Sequence, residues 1–137
     1  MFEANGKLVV VIDDDPFVLA GLEQLLQSVG CETVTTTFQS DPATEIMNLA
    51  EKCLRRPDLV LVDYGLPYGY SEFDVARDLR AVFGEDLPVV VLISESSPNW
   101  FAVNNECVLP TRLKPRNADD IRAAFRELID PSALPRA

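Results

Sequence analysis

Residues 8–16 have the sequence LVVVIDDDP, in which a short apolar run ends abruptly at three acidic residues. The run from Leu8 to Ile12 is rich in β-branched residues and does not alternate with polar ones, which is typical of a strand buried on both faces of a parallel sheet. Pro16 suits the first position of a helix, with Asp15 as its N-cap. The stretch therefore predicts a buried strand, an acidic strand end and an immediate turn into a helix.

The same strand–helix unit recurs four more times along the chain. The later strands are predicted at residues 32–37, 59–62, 89–93 and 108–113. Pro110 interrupts the last of them and so favours a position at the sheet edge. Five alternating units predict one doubly wound α/β domain, (βα)5, whose five-stranded parallel sheet is covered on both faces.

Signals for helix ends accompany these units. Ser71 and Asp74 resemble a capping box at the start of the third helix, and Asn117 is the expected N-cap of the last one. The second helix is predicted to carry an apolar stripe, formed by Ile46, Leu49, Ala50, Cys53 and Leu54. Arg55 and Arg56 are expected in its last turn, where cations suit the helix dipole.

Composition excludes several classes of protein. The chain has 137 residues, a net charge of −10 and no histidine. The acidic charge argues against direct nucleic-acid binding, which needs a basic face. The lack of histidine excludes Ser-His-Asp hydrolysis, Cys-His proteolysis and histidine metal sites.

The three cysteines, Cys31, Cys53 and Cys107, form no CxxC pair. They are expected to be reduced, buried residues rather than disulfide or zinc ligands. No apolar run approaches the ~18 residues of a membrane span, and the first residues have no signal-peptide pattern. These features predict a cytoplasmic protein.

Polar residues end four of the five predicted strands. Asp13 and Asp14 follow the first strand, Asp63 the third, Ser94 the fourth and Lys114 the fifth. The carboxyl ends of parallel strands share one edge, where ligands of such folds bind. Clustered carboxylates favour a cation, and all-oxygen ligands suit Mg²⁺, with Mn²⁺ as a further possibility. A carboxylate can also accept a phosphoryl group, which a lysine and a hydroxyl would then stabilise.

Four segments, VVVIDDDP, LVLVDYGLP, VVVLIS and LKP, resemble in order and spacing the motifs of receiver domains of two-component signalling proteins. The resemblance covers residues 7–130 and leaves 1–6 and 131–137 as tails. DYGLP and FDVARDLR are similar to receivers attached to hybrid sensor histidine kinases. The resemblance implies a flavodoxin-like fold and a signalling switch that is not a conventional enzyme.

The resemblance also implies roles for individual residues. Asp63 would be the phosphoacceptor and a metal ligand, together with Asp14 and the main-chain carbonyl of Gly65, while Asp13 would act through a metal-bound water. Ser94 and Lys114 would contact the phosphoryl group. The implied positions that tune dephosphorylation are Gly65 and Ser96, and the Lys114–Pro115 bond would be cis.

Implied partners are a sensor histidine kinase or phosphotransfer protein as donor and a downstream protein or fused effector as target. A homodimer through the last helices is a further possibility. Three places depart from the family pattern: Ser71-Glu72 occupies the place of a glycine near the start of the third helix, Glu95 replaces a small residue and Thr111 an aromatic switch residue. They keep open a second function, a phosphorylation-independent interaction module. A third, a hydrolase of the haloacid dehalogenase type, rests on the D-x-D within residues 13–15.

Overall fold

The computed structural model describes residues 5–66, 71–94, 109–115, 117–121 and 123. Strands and helices alternate along the chain in these parts, and the elements are β1 (Leu8–Ile12), α1 (Pro16–Ser28), β2 (Glu32–Thr36), α2 (Pro42–Lys52), β3 (Leu59–Asp63), α3 (Glu72–Phe83), β4 (Val89–Ile93) and β5 (Thr111–Leu113). Residues 118–121 begin a further helix. The fourth predicted helix and Cys107 lie outside the described residues.

All strand pairs are parallel, and the strand order is β2-β1-β3-β4-β5. The prediction of a five-stranded parallel sheet is therefore confirmed, with β5 at an edge. The order reverses between β1 and β3, because the chain first moves outward to β2 and then returns past β1. In doubly wound sheets this reversal opens a crevice at the carboxyl ends of the two strands.

Successive residues of the central strands point to opposite faces of the sheet. Val10 and Val60 pack in one core with residues of α2 and α3. Val9 and Leu61 pack in a second core with residues of α1 and with Ile121. Both faces are thus covered, which explains why the strands carry continuous apolar runs.

The helix boundaries follow from caps that the sequence predicts. Asp15 accepts a hydrogen bond from the backbone N–H of Phe17, and Asn117 accepts one from that of Asp120. Ser71 and Asp74 form the capping box at the start of α3. Each cap satisfies an otherwise unpaired N–H in the first helical turn.

The predicted end of α2 is wrong. The helix stops at Lys52, because Cys53 has extended backbone angles, so Arg55 and Arg56 lie beyond the last turn. Leu54 is 97% exposed and takes no part in the apolar stripe. Arg55 instead forms ion pairs with Glu32 and Asp58, near the amino ends of β2 and β3.

Candidate functional site

Asp13 follows β1 directly and is held by two main-chain contacts. Its backbone N–H donates a hydrogen bond to the carbonyl of Thr36 at 3.2 Å, and its Oδ1 accepts one from the N–H of Asp15 at 2.9 Å. Only 1% of the residue is exposed. Its remaining carboxylate oxygen, Oδ2, is therefore fixed in a buried position at the carboxyl edge of the sheet.

Asp63 is the last residue of β3 and is also buried. It pairs in register with Leu92 of β4, whose carbonyl accepts a hydrogen bond from the N–H of Tyr64 at 2.9 Å. Gly65 then turns the chain with a φ of +88°, a conformation that favours glycine. The end of β3 and the turn at Gly65 together orient the Asp63 carboxylate toward the crevice.

The three predicted acids lie together. Asp13, Asp14 and Asp63 each offer a carboxylate oxygen, and these oxygens lie within 4.8 Å of one another. Asp14 is exposed to solvent, whereas the other two residues are buried. The arrangement has one open side and two enclosed oxygen donors.

Lys114 joins two of these acids. Its Nζ lies 3.0 Å from Oδ2 of Asp13 and 3.1 Å from Oδ1 of Asp63. The backbone N–H of Lys114 donates to the carbonyl of Ile93 at 3.0 Å, which extends the pairing of β4 and β5. The ammonium group thus partly compensates the charge of the two buried carboxylates.

Burial and nearby charges change the ionisation of both partners. Loss of hydration, followed by the negative charges of Asp13 and Asp14, raises the pKa of Asp63 to about 6, although Lys114 opposes the change. Burial by itself would lower the pKa of Lys114, but its contacts with Asp13 and Asp63 outweigh that effect and raise it. The pocket therefore holds more negative charge than one ammonium can balance.

The donor set fits a small divalent cation. Among the described residues, the fully buried Asp13 Oδ2 has only the Lys114 ammonium beside it, at 3.0 Å, and that ammonium is shared with Asp63. A buried carboxylate oxygen in this condition is costly unless positive charge is added. Oxygen ligands from two or three acids, with an open side for water, match the preferences of Mg²⁺.

The other predicted site residues have mixed outcomes. Ser94 follows β4 directly and is exposed, one residue beyond the Ile93 carbonyl that holds Lys114. Ser96 and Glu95 lie outside the described residues. No peptide bond in the described ranges is cis, so the expectation for Lys114–Pro115 is wrong for this structure. The trans form is favoured for an X–Pro bond, and Lys114 reaches both acids with it.

Two of the departures from the family pattern are visible. Glu72 is buried as the first residue of α3, where Ser71-Glu72 occupies the place of a glycine in the family pattern. Thr111 is 3% exposed, and its hydroxyl donates a hydrogen bond to the carbonyl of Leu109 at 3.1 Å. Threonine at this position therefore has a fixed hydrogen bond and no ring that could change place.

The sequence did not indicate two residues behind the pocket, Thr36 and Glu45. Thr36 ends β2 and contacts Asp13 through its carbonyl, and the buried carboxylate of Glu45 accepts a hydrogen bond from its hydroxyl. Glu45 stands four residues before Leu49, on the buried side of α2. The sequence signal that could have identified Glu45 was its position one helical turn before Leu49, on the apolar stripe of α2.

Comparison with known proteins decides the family. Residues 9–126 match the profile of the response regulator receiver domain. The chain belongs to this family. The predicted receiver resemblance is therefore confirmed, and its acidic pocket lies at the sheet edge where the family motifs end.

The chain matches only part of its longer relatives. The receiver is 36% identical over 88 residues to the DNA-binding response regulator MtrA of Mycolicibacterium smegmatis, which is 64% of this chain and 35% of that protein. It is 38% identical over 93 residues to the transcriptional regulatory protein PrrA of Mycobacterium leprae, covering 68% and 36%. The chain thus spans about a third of the length of the curated relatives it matches.

A solved structure supports the same fold. The receiver domain of the sensor histidine kinase PA1611 from Pseudomonas aeruginosa, with a magnesium ion coordinated in its active site cleft, has a TM-score of 0.68 at 18% identity. The match covers 90% of this chain and 98% of that one. None of the helices that the structure describes in this receiver is long and apolar enough to cross a membrane.

Proposed function

We propose that this receiver domain accepts a phosphoryl group on Asp63 from a phosphohistidine donor, in a reaction that requires Mg²⁺. One observation carries the proposal: the buried Asp63 carboxylate lies within 4.8 Å of the other two acids and 3.1 Å from the Lys114 ammonium. A nucleophilic carboxylate beside a cation site and a fixed lysine has the groups that phosphoryl transfer needs.

In the proposed step, an oxygen of the Asp63 carboxylate forms a bond to phosphorus while the P–N bond of the phosphohistidine breaks. The electron pair of that bond stays on the imidazole nitrogen, which then takes a proton from solvent. Lys114 already lies beside Asp63 Oδ1 and would neutralise charge on a phosphoryl oxygen. No general base is needed, because the carboxylate is the nucleophile in its ionised form.

Asp14, Asp63 and the carbonyl of Gly65 would hold the Mg²⁺ ion, and Asp13 would contact it through a bound water. When bound, the ion supplies positive charge to the non-bridging phosphoryl oxygens. The buried Oδ2 of Asp13 supports this assignment, because the Lys114 ammonium beside it is shared with Asp63 and leaves the negative charge of the pocket incompletely balanced. A magnesium ion in the active site cleft of the PA1611 receiver supports it as well. Mn²⁺ stays a prediction from ligand chemistry alone.

The output of the domain would be a change of protein contacts. Ser94 would donate a hydrogen bond to the phosphoryl group and draw its loop inward, and two-state switching of this kind changes a distant surface. The donor would be a sensor histidine kinase or phosphotransfer protein. The target would be a protein partner or a fused effector, as the DNA-binding relatives suggest. Gly65 and Ser96 would tune the lifetime of the phosphorylated state.

The proposal is tested by incubating the protein with Mg²⁺ and acetyl phosphate and weighing it intact by mass spectrometry. The expected result is one added phosphoryl group, which is absent with EDTA and absent in Asp63→Asn. Asp78→Asn, which changes an acid on α3, is the matched control and should still be modified. An adduct that persists in Asp63→Asn would contradict the assignment.

A second candidate function is a receiver-like module that binds partners without phosphorylation. The observation that favours it is Thr111, whose buried hydroxyl is fixed on the Leu109 carbonyl in place of a mobile aromatic ring. This function predicts no adduct in the same experiment and no spectral response to beryllofluoride, while partner binding stays unchanged in Asp63→Asn.

A further inference from the structure

Glu45 is a buried acid whose role is not explained by the pocket described above. Only 8% of the residue is exposed. Its Oε1 accepts a hydrogen bond from the hydroxyl of Thr36 and its Oε2 one from the backbone N–H of Ser40, both at 2.9 Å. Both donors are neutral, and the described residues contain no ion pair with this carboxylate. Burying a carboxylate that has only neutral hydrogen-bond donors costs free energy. The position of Glu45 therefore calls for an explanation in terms of the groups that it holds.

The two donors stand on either side of a strained loop. Between them lies Phe38, a fully buried residue with a φ of +56°, in the left-handed region that residues other than glycine seldom adopt. The N–H of Phe38 donates to the hydroxyl oxygen of Thr36 at 3.0 Å. Glu45 thus holds both ends of the loop that keeps Phe38 in this conformation.

The loop is connected to the acidic pocket. The carbonyl of Thr36 accepts the hydrogen bond from the backbone N–H of Asp13, so Thr36 contacts Glu45 through its side chain and Asp13 through its main chain. The ring of Phe38 packs in the same core as Ile12 and Val62, which directly precede Asp13 and Asp63 along the chain. Both connections lead from Glu45 to the strand ends that carry the acids.

We propose that Glu45 is a positioning residue for the acidic pocket: through Thr36 it sets the position of Asp13 and so the affinity for the divalent cation. It does not contact the cation itself. The part that concerns Mg²⁺ rests on the proposed function, whereas the part that concerns Asp13 does not. Groups that orient metal ligands typically change metal affinity about 10–100-fold when mutated.

The experiment measures the Kd for Mg²⁺ by isothermal titration calorimetry and the hydrogen exchange of the Asp13 amide by NMR. Glu45→Gln removes one of the two acceptors, and Thr36→Val removes the hydroxyl while keeping a β-branched residue in β2. Thr36→Ser keeps the hydroxyl and serves as the rescue variant. Glu51→Gln removes an exposed carboxylate from the same helix and is the matched control.

The expected result is Mg²⁺ binding about tenfold weaker in Glu45→Gln and Thr36→Val, with faster exchange at Asp13. Thr36→Ser and Glu51→Gln should stay within about twofold of wild type. A purely structural role would lower the melting temperature of the first two variants and leave the Kd unchanged, which would overturn the proposal.

Weaker Mg²⁺ binding with unchanged exchange at Asp13 would also overturn it, because the effect would then not pass through that residue. If wild-type protein binds no Mg²⁺, the proposed function fails. The exchange of the Asp13 amide in the same variants then decides by itself whether Glu45 positions this residue.

Discussion

At the residue scale, Lys114 stands between two buried carboxylates that would otherwise repel each other. We expect Lys114→Met to lower the free energy of unfolding by roughly 2 kcal/mol without Mg²⁺, somewhat less than for a fully buried pair because the side chain is 24% exposed. Saturating Mg²⁺ should recover most of this loss, because the ion supplies the missing positive charge. Urea denaturation with and without Mg²⁺ measures both quantities.

The matched control for this substitution is Lys52→Met, which removes an exposed lysine from the end of α2. It should change the free energy of unfolding by less than about 0.5 kcal/mol under both conditions. An equal loss in Lys114→Met with and without Mg²⁺ would show that the lysine stabilises the fold by packing and not by charge.

Asp63 gives the metal-free protein a specific pH dependence. Its pKa is raised from 3.8 to about 6 in the folded state, mainly by burial. The folded state therefore binds more protons than the unfolded state between these values, and stability falls as the pH rises through them. The loss amounts to about 2 kcal/mol after allowance for solvent screening.

We therefore expect Asp63→Asn to be more stable than wild type by about 2 kcal/mol at pH 7 with EDTA, and by much less at pH 4. Denaturation by urea across this range measures the difference between the two proteins, in which the other titrating groups cancel. A constant difference across the range would mean that Asp63 is ionised throughout.

The residues of the pocket differ in how far the sequence could predict them. Asp13, Asp63 and Lys114 were predicted together, because each directly follows or ends a strand and parallel strands end at one edge. Thr36 and Glu45 were not, because their contact depends on the backbone of the loop at Phe38. No sequence pattern specifies a φ of +56° at a phenylalanine.

At the scale of elements, α2 shows where local patterns stop being sufficient. Its apolar spacing continues through Cys53 to Leu54, yet the helix ends at Lys52 and the chain becomes extended. Two basic residues and Pro57 follow, and Arg55 pairs with acids beside β2 and β3. Contacts with other elements thus end the helix before its own periodicity does. By contrast, β1 and β4 have the predicted bounds, since an uninterrupted apolar run leaves no alternative.

This boundary can be tested with two leucines. Leu49 is 1% exposed in the core between α2 and the sheet, whereas Leu54 is 97% exposed. Leu49→Ala should lower the free energy of unfolding by about 3 kcal/mol through lost burial and a cavity. Leu54→Ala should change it by less than about 0.5 kcal/mol. Chemical denaturation of both variants gives the comparison, and similar losses would mean that the helix continues through Leu54.

At the scale of the whole molecule, the strand order creates the site. The alternation of strands and helices did not by itself give the order β2-β1-β3-β4-β5, which depends on how each crossover packs over the sheet; the order was implied through the family resemblance. The order places β1 beside β3, so the acids after these strands face each other across the crevice. Lys114 directly follows the edge strand β5, and its ammonium group contacts the carboxylates of both Asp13 and Asp63.

The net charge of −10 makes any cation stabilise the folded chain to some degree, so the specific site must be separated from general screening. A ligand bound only by the folded state stabilises it by about 2.7 kcal/mol at a concentration of 100 Kd.

We therefore expect saturating Mg²⁺ to raise the melting temperature of wild-type protein by roughly 5–10 °C. NaCl at the same ionic strength should raise it far less. Asp14→Asn removes an exposed carboxylate of the proposed cation site without disturbing the core, and it should lose the specific part of the shift while keeping the general part. Equal shifts with the two salts, or an unchanged Mg²⁺ shift in Asp14→Asn, would mean that the three carboxylates do not act as one cation site.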